Sequence, residues 1–104
     1  MIFSDAGWIY QSVDCSTDST TVYAGPCLLR GVIVSVGLSA HLVLIKDGST
    51  TVAGLAASAA AGTNLNCYDM RLVTSLVVDP DNSSTGTITV VYKPDHGGLA
   101  GDGA

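Results

Sequence analysis

Two histidines, His41 and His96, and three cysteines, Cys15, Cys27 and Cys67, are the side chains from which nucleophilic, acid–base or metal chemistry would be built. Hydrolysis needs a nucleophile with a base and an orienting acid within reach. His41 opens an apolar run, His96 stands beside a glycine-rich end that gives no rigid placement, and neither lies in a G-x-S-x-G elbow. The cysteines form no C-x-x-C pair, two histidines make no metal site without a third ligand, and an odd cysteine count cannot complete a disulfide framework. They read as buried free thiols that pack as small hydrophobes in a protein made in a reducing cytosol. A Cys15–Cys27 bridge is open to the spacing, with nothing to favour it. Asp79-x-Asp81-Asn82-Ser83 looks like the start of a calcium loop, but Ser84 stands where position 6 needs glycine and Val90 where position 12 needs glutamate. It reads as a turn. No G-x-x-x-x-G-K or G-x-G-x-x-G spacing supports nucleotide binding. The expectation is a protein with no catalytic residues, no cofactor and no metal.

The residues left with recognition potential are aromatic. Trp8 and Tyr10 alternate around Ile9 ahead of the main body, where they either anchor an interface or complete the core as an edge strand. Stacking on a sugar ring would require an exposed aromatic face. Tyr92 falls on an inward strand face, so Trp8 and Tyr68 are the positions for such a platform.

The chain has 104 residues, of which 47% are hydrophobic and 12% charged, against roughly 25% charged in ordinary soluble domains. Its net charge is −5, and its only basic residues, Arg30, Lys46, Arg71 and Lys93, are scattered. Nucleic acid and anionic membranes, which recruit clustered Lys and Arg, are therefore not expected partners. No run approaches the ~20 apolar residues of a membrane span, and the opening MIFSDAGWIY lacks the basic and apolar regions of a secretory signal. The length suits one domain.

The elements that must position these side chains are β-strands. In Thr87-Ile88-Thr89-Val90-Val91-Tyr92, Ile88, Val90 and Tyr92 share one face, and Val32, Val34 and Val36 alternate with Ile33 and Ser35 in the same way. His41 to Lys46 differs, because Leu42 and Leu44 take one face and Val43 and Ile45 the other. Leu72 to Val78 is similar towards its end, with Leu76 and Val78 opposed to Val77. A strand apolar on both faces needs cover on both. In a sandwich of this size the second face points to another subunit. Trp8, Ile9, Tyr10, Val43, Ile45 and Val77 are accordingly the candidate interface residues.

Asp47-Gly48 reads as a two-residue type I′ hairpin turn, Gly37 to Ala40 as a short hairpin loop, and Asp79 to Gly86 as the turn-rich link between the last two long strands. Leu55 to Ala61 has helix propensity but neither the length nor the amphipathic stripe of a stable helix, so a loop or irregular strand is expected, with a single helical turn as the alternative. The predicted fold is an all-β antiparallel sandwich or jelly roll with an N-terminal arm. Residues 1–20 form the arm or an edge segment, 21–94 the sandwich, and 95–104 a flexible glycine-rich tail.

The hairpin segments Leu44 to Val52, Ser75 to Asp81 and Gly86 to Tyr92, in an acidic chain rich in Ala, Gly, Ser, Thr and Val, give a resemblance over about residues 22–94. Across that span the sequence resembles the small capsid decoration, or cement, proteins of tailed bacteriophages. The resemblance implies a jelly-roll domain, a homotrimer on the outside of an icosahedral head, and the major capsid protein as partner. It carries no site residues with it. Low charge suits large interfaces, and an acidic protein is repelled by packaged DNA, which favours the capsid exterior. Two other readings remain open at this level. One is a carbohydrate- or receptor-binding jelly roll of a phage fibre, and the other a head–tail connector or tail-tube subunit.

Overall fold

The computed structural model describes residues 7–81 and 83–95. Eight strands follow one another: β1 Ile9–Asp14, β2 Thr20–Tyr23, β3 Cys27–Val36, β4 Val43–Asp47, β5 Thr50–Leu55, β6 Asn64–Leu72, β7 Leu76–Pro80 and β8 Thr87–Pro94. They form two four-stranded sheets, ordered β1-β8-β3-β6 and β2-β7-β4-β5, and every pairing is antiparallel. The fold is the expected all-β sandwich, with no helix among the described residues.

One folding pattern produces this order. β4 pairs with β5, β3 with β6, β2 with β7 and β1 with β8, so the chain doubles back as a single long hairpin whose tip is the β4–β5 turn. Successive pairs fall alternately on the two sheets. The β3–β8 and β4–β7 pairings then close each sheet across its middle. Nested pairing of eight strands in two sheets is the strand order of a jelly roll.

Between the layers lie Leu29, Val32 and Val34 of β3, Val43 and Ile45 of β4, Leu76 and Val78 of β7, and Ile88, Val90 and Tyr92 of β8. The alternation expected for β8 is the one found. β3 departs from it at its end, where a register shift between Val34 and Val36 turns Val36 outward to 56% exposure. An inserted residue reverses the inside–outside parity of everything beyond it. Cys15, Cys27 and Cys67 are buried free thiols. β1 lies along the edge of its sheet and sends Val13 into the core.

Several connections differ from their sequence reading. The stretch from Gly37 to Leu42 is not a hairpin loop, because β3 and β4 belong to different sheets and it crosses between them. Leu72 to Val78 is not one strand: β6 ends at Leu72 and β7 starts at Leu76. Asp47 causes the break. Its carboxylate accepts hydrogen bonds from the backbone N–H groups of Val73 at 3.0 Å, Thr74 at 2.8 Å and Ser75 at 3.3 Å, satisfying a corner that no sheet partner reaches. Asp47 itself pairs with Thr50 and closes the β4–β5 hairpin, so the two loop residues are Gly48 and Ser49. Gly48 alone of these has positive φ, at 63°, which is the type II′ pattern and not the expected I′.

After Leu55 the alanine-rich stretch is a loop. It runs beside β3 and its exit, with Ser58 N–H donating to Ser39 O at 2.7 Å, Leu38 N–H to Ala59 O at 2.9 Å and Gly62 N–H to Val34 O at 2.7 Å. Small side chains permit that approach. Of the expected tail at 95–104, Asp95 is anchored by Arg71 at 3.0 Å, and the remainder lies outside the described residues, as do His96, Phe3 and Asn82.

Candidate functional site

The outer face of the β1-β8-β3-β6 sheet carries a pocket built around a defect in strand pairing. Leu29 pairs with Met70 and Gly31 with Asn66, so Arg30 on β3 stands opposite three residues of β6, Cys67, Tyr68 and Asp69. To accommodate the excess, Tyr68 and Asp69 both adopt left-handed backbone, with φ of 57° and 56°. For non-glycine residues this costs about 1–3 kcal/mol each. Two interactions hold the conformation. Asn66 Oδ1 accepts a hydrogen bond from Tyr68 N–H at 2.9 Å, and Arg30 grips the Asp69 carboxylate with Nε at 3.0 Å and Nη2 at 3.2 Å. Arg30 is itself seated on Trp8, its guanidinium carbon 3.8 Å from the ring centroid.

The bulge pushes Tyr68 out to 82% exposure. Tyr10 of β1, at 55% exposure, stands on the same face, and between them lies a cavity of about 580 Å³. Gly31, Ile33 and Val91 form its floor, and Asn64, Asn66, Arg30 and Asp69 supply its polar groups. A Cβ at Gly31 would sit 2.8 Å from the Leu65 carbonyl oxygen, so glycine is what lets β6 approach here. The Arg30 hydrogen bonds hold the Asp69 carboxyl below the ordinary aspartate range and raise the guanidinium in turn. The pocket thus contains one fixed positive and one fixed negative charge.

A second, smaller depression of about 390 Å³ lies on the outer face of the other sheet, between Leu42, Leu44, Asp79, Pro80 and Asp81. The Lys46–Asp79 ion pair, Nζ to Oδ2 at 2.7 Å, lies beside it, and His41 Nδ1 stands 3.6 Å from Asp81 Oδ2. No protein-family model, curated protein or solved structure matches this chain.

The structure redistributes the residues singled out from sequence. Val43 and Ile45 are fully buried in the core, so the outward apolar residues here are Leu44 of β4 and Leu42 just before it. The register decides this, since Ile45 pairs with inward-facing Val78. Val77, 8% exposed, lies outside the core cluster and is flanked in register by Thr21 and Lys46. Trp8 is half-buried under Arg30, and Ile9 is 38% exposed on the edge strand. His41 precedes β4 and does not lie on it. Tyr68 falls in the pocket, together with Tyr10, Asn64, Asn66, Arg30 and Asp69, which sequence reasoning missed as a group. The local trace of the site was a polar face at Asn64, Asn66 and Tyr68 with period 2.

The thiols are protected from chemistry. Burial, with the carboxylates of Asp47 and Asp95 adding to it, pushes Cys27 up to about 11, and burial raises Cys15 and Cys67 as well. A thiol held above its ordinary range is a poor nucleophile at neutral pH.

Proposed function

We propose that this protein is a structural component of a virion, a capsid decoration (cement) protein that assembles as a homotrimer on the outside of a phage head and bridges neighbouring major capsid subunits. The observation that supports this reading is the outer face of the β2-β7-β4-β5 sheet. An antiparallel sheet facing water normally alternates apolar-in with polar-out. Here Leu42, just before β4, is 52% exposed, and Leu44 is half-buried on the interior strand β4, with Val77 of β7 on the same side. The charges between these apolar side chains, Lys46 opposite Val77 and Asp79 opposite Leu44, are joined in an ion pair at 2.7 Å, so the centre of the face carries no net charge.

The composition supports the same reading. With a net charge of −5 the protein has no attraction to packaged DNA, and an exterior position avoids that repulsion. Sedimentation or mass photometry of the purified protein is expected to show a trimer that Leu44→Asp dissociates without loss of β-structure by circular dichroism. A stable monomer at micromolar concentration overturns the assembly. Electron microscopy of the source particle is expected to place many copies over the head surface. A single ring at the portal, or copies along the tail, would overturn the location.

A further inference from the structure

We propose that the pocket on the outer face of the β1-β8-β3-β6 sheet binds a neutral carbohydrate, seated against Tyr68 and Tyr10 and hydrogen-bonded by Asn64, Asn66 and the Arg30–Asp69 pair. A sugar presents apolar C–H faces edged by hydroxyls that both donate and accept. Its complement is a flat aromatic surface beside planar polar groups of both kinds. The pocket has this composition, and its volume of about 580 Å³ falls within the roughly 300–1,000 Å³ usual for small-molecule sites.

The polar groups are available. Among the described residues the Asn64 side chain has no hydrogen-bond partner, and Asn66 uses only its Oδ1, leaving its NH₂ free. The Arg30 fork fixes the Asp69 carboxylate in place while leaving Nη1 and further carboxylate lone pairs open. A donor and an acceptor held side by side match vicinal hydroxyls. Neutrality of the ligand follows from the charges: Arg30 and Asp69 cancel, among the described residues no other ionised side chain lines the pocket, and the chain as a whole is acidic. An anion would meet an unfavourable field.

Backbone strain points to the same face. Two left-handed non-glycine residues hold out a tyrosine that is 82% exposed. Strain kept at a surface pocket is a mark of a working site.

The test uses the full chain, with methyl glycosides of glucose, galactose, mannose and N-acetylglucosamine, and lactose, set against sialyllactose and inorganic phosphate. Saturation-transfer NMR and ¹H–¹⁵N shift mapping are expected to show a neutral sugar perturbing the amides of Arg30, Gly31 and residues 64–69. Tyr68→Ala and Tyr10→Ala should each weaken that binding at least tenfold with unchanged circular dichroism. No neutral sugar binding in the millimolar range, tighter binding of sialyllactose or phosphate, shifts confined to other surfaces, or wild-type affinity in both variants overturns the proposal. The site lies on the sheet opposite Leu44, so Leu44→Asp must leave it intact. Sugar binding and assembly are therefore lost separately.

Discussion

Arg30 on β3 and Asp69 on β6 are joined by two parallel hydrogen bonds of 3.0 and 3.2 Å, and they meet at the one place where three residues of β6 oppose a single residue of β3. The pair is exposed, so its effect on global stability is small, but it holds a locally strained conformation. Arg30→Ala is expected to leave the melting temperature nearly unchanged while speeding amide hydrogen exchange at residues 66–69. A large fall in melting temperature, or unchanged local exchange, would show that the bulge is held by something else.

Asp47 performs a structural task at the corner that follows β6. Its carboxylate is the acceptor for three backbone N–H groups at the β6–β7 corner. Asp47→Ala should destabilise the fold by about 1–3 kcal/mol in urea unfolding, because these donors lose their acceptor. A change of a few tenths would mean that water replaces the carboxylate without cost.

The same residue sets an acid limit. The backbone hydrogen bonds, that from Val73 first, hold Asp47 below its ordinary value of 3.8. Its folded pKa is thus lower than its unfolded one. The stabilisation is complete above the unfolded value and is lost as pH falls through the folded one. Urea midpoints measured from neutral pH down to about pH 2 should decline below about pH 4, and Asp47→Asn should flatten that decline. Parallel curves for the two proteins would exclude Asp47 as its source.

Cys27 gives the corresponding alkaline limit. Burial raises it from 9.0 to about 11, so the folded state holds its proton more tightly than the unfolded chain. Stability from this group is full below the unfolded pKa and declines as pH rises from 9.0 towards about 11. Cys27→Ala should remove part of the alkaline slope. At neutral pH none of the three thiols should react with a disulfide reagent until the protein is unfolded, and rapid native labelling of any of them would contradict their burial.

The two faces of β4 should separate by mutation. Ile45 is fully buried, and Ile45→Ala should cost about 2–5 kcal/mol of unfolding free energy as a cavity opens in the core. Leu44→Ala should cost far less when the protein is diluted to monomer. Equal losses at the two positions would mean that both faces are core in the isolated chain.

Much of the fold was legible in local pattern. The alternation of Ile88, Val90 and Tyr92 assigns an inward face without reference to any other strand, because side chains two apart always share a side. Turn-rich stretches marked where strands end, and the alanine-rich segment after Leu55 lacked what a helix requires. The break between Leu72 and Leu76 was not legible. Nothing in Val73-Thr74-Ser75 breaks a strand, and the corner depends on a carboxylate 26 positions away in sequence from Val73.

The pattern of residue types by itself determined an all-β sandwich, buried thiols, and a strand apolar on both faces. Which of those faces turns inward was decided only by tertiary pairing, since Val43 and Ile45 are as apolar as Leu42 and Leu44 and only the register with Val78 distinguishes them. The pocket was decided there too. It exists because β3 and β6 meet out of step between Leu29 and Gly31, and a mismatch between two strands is a property of their pairing that neither strand carries alone.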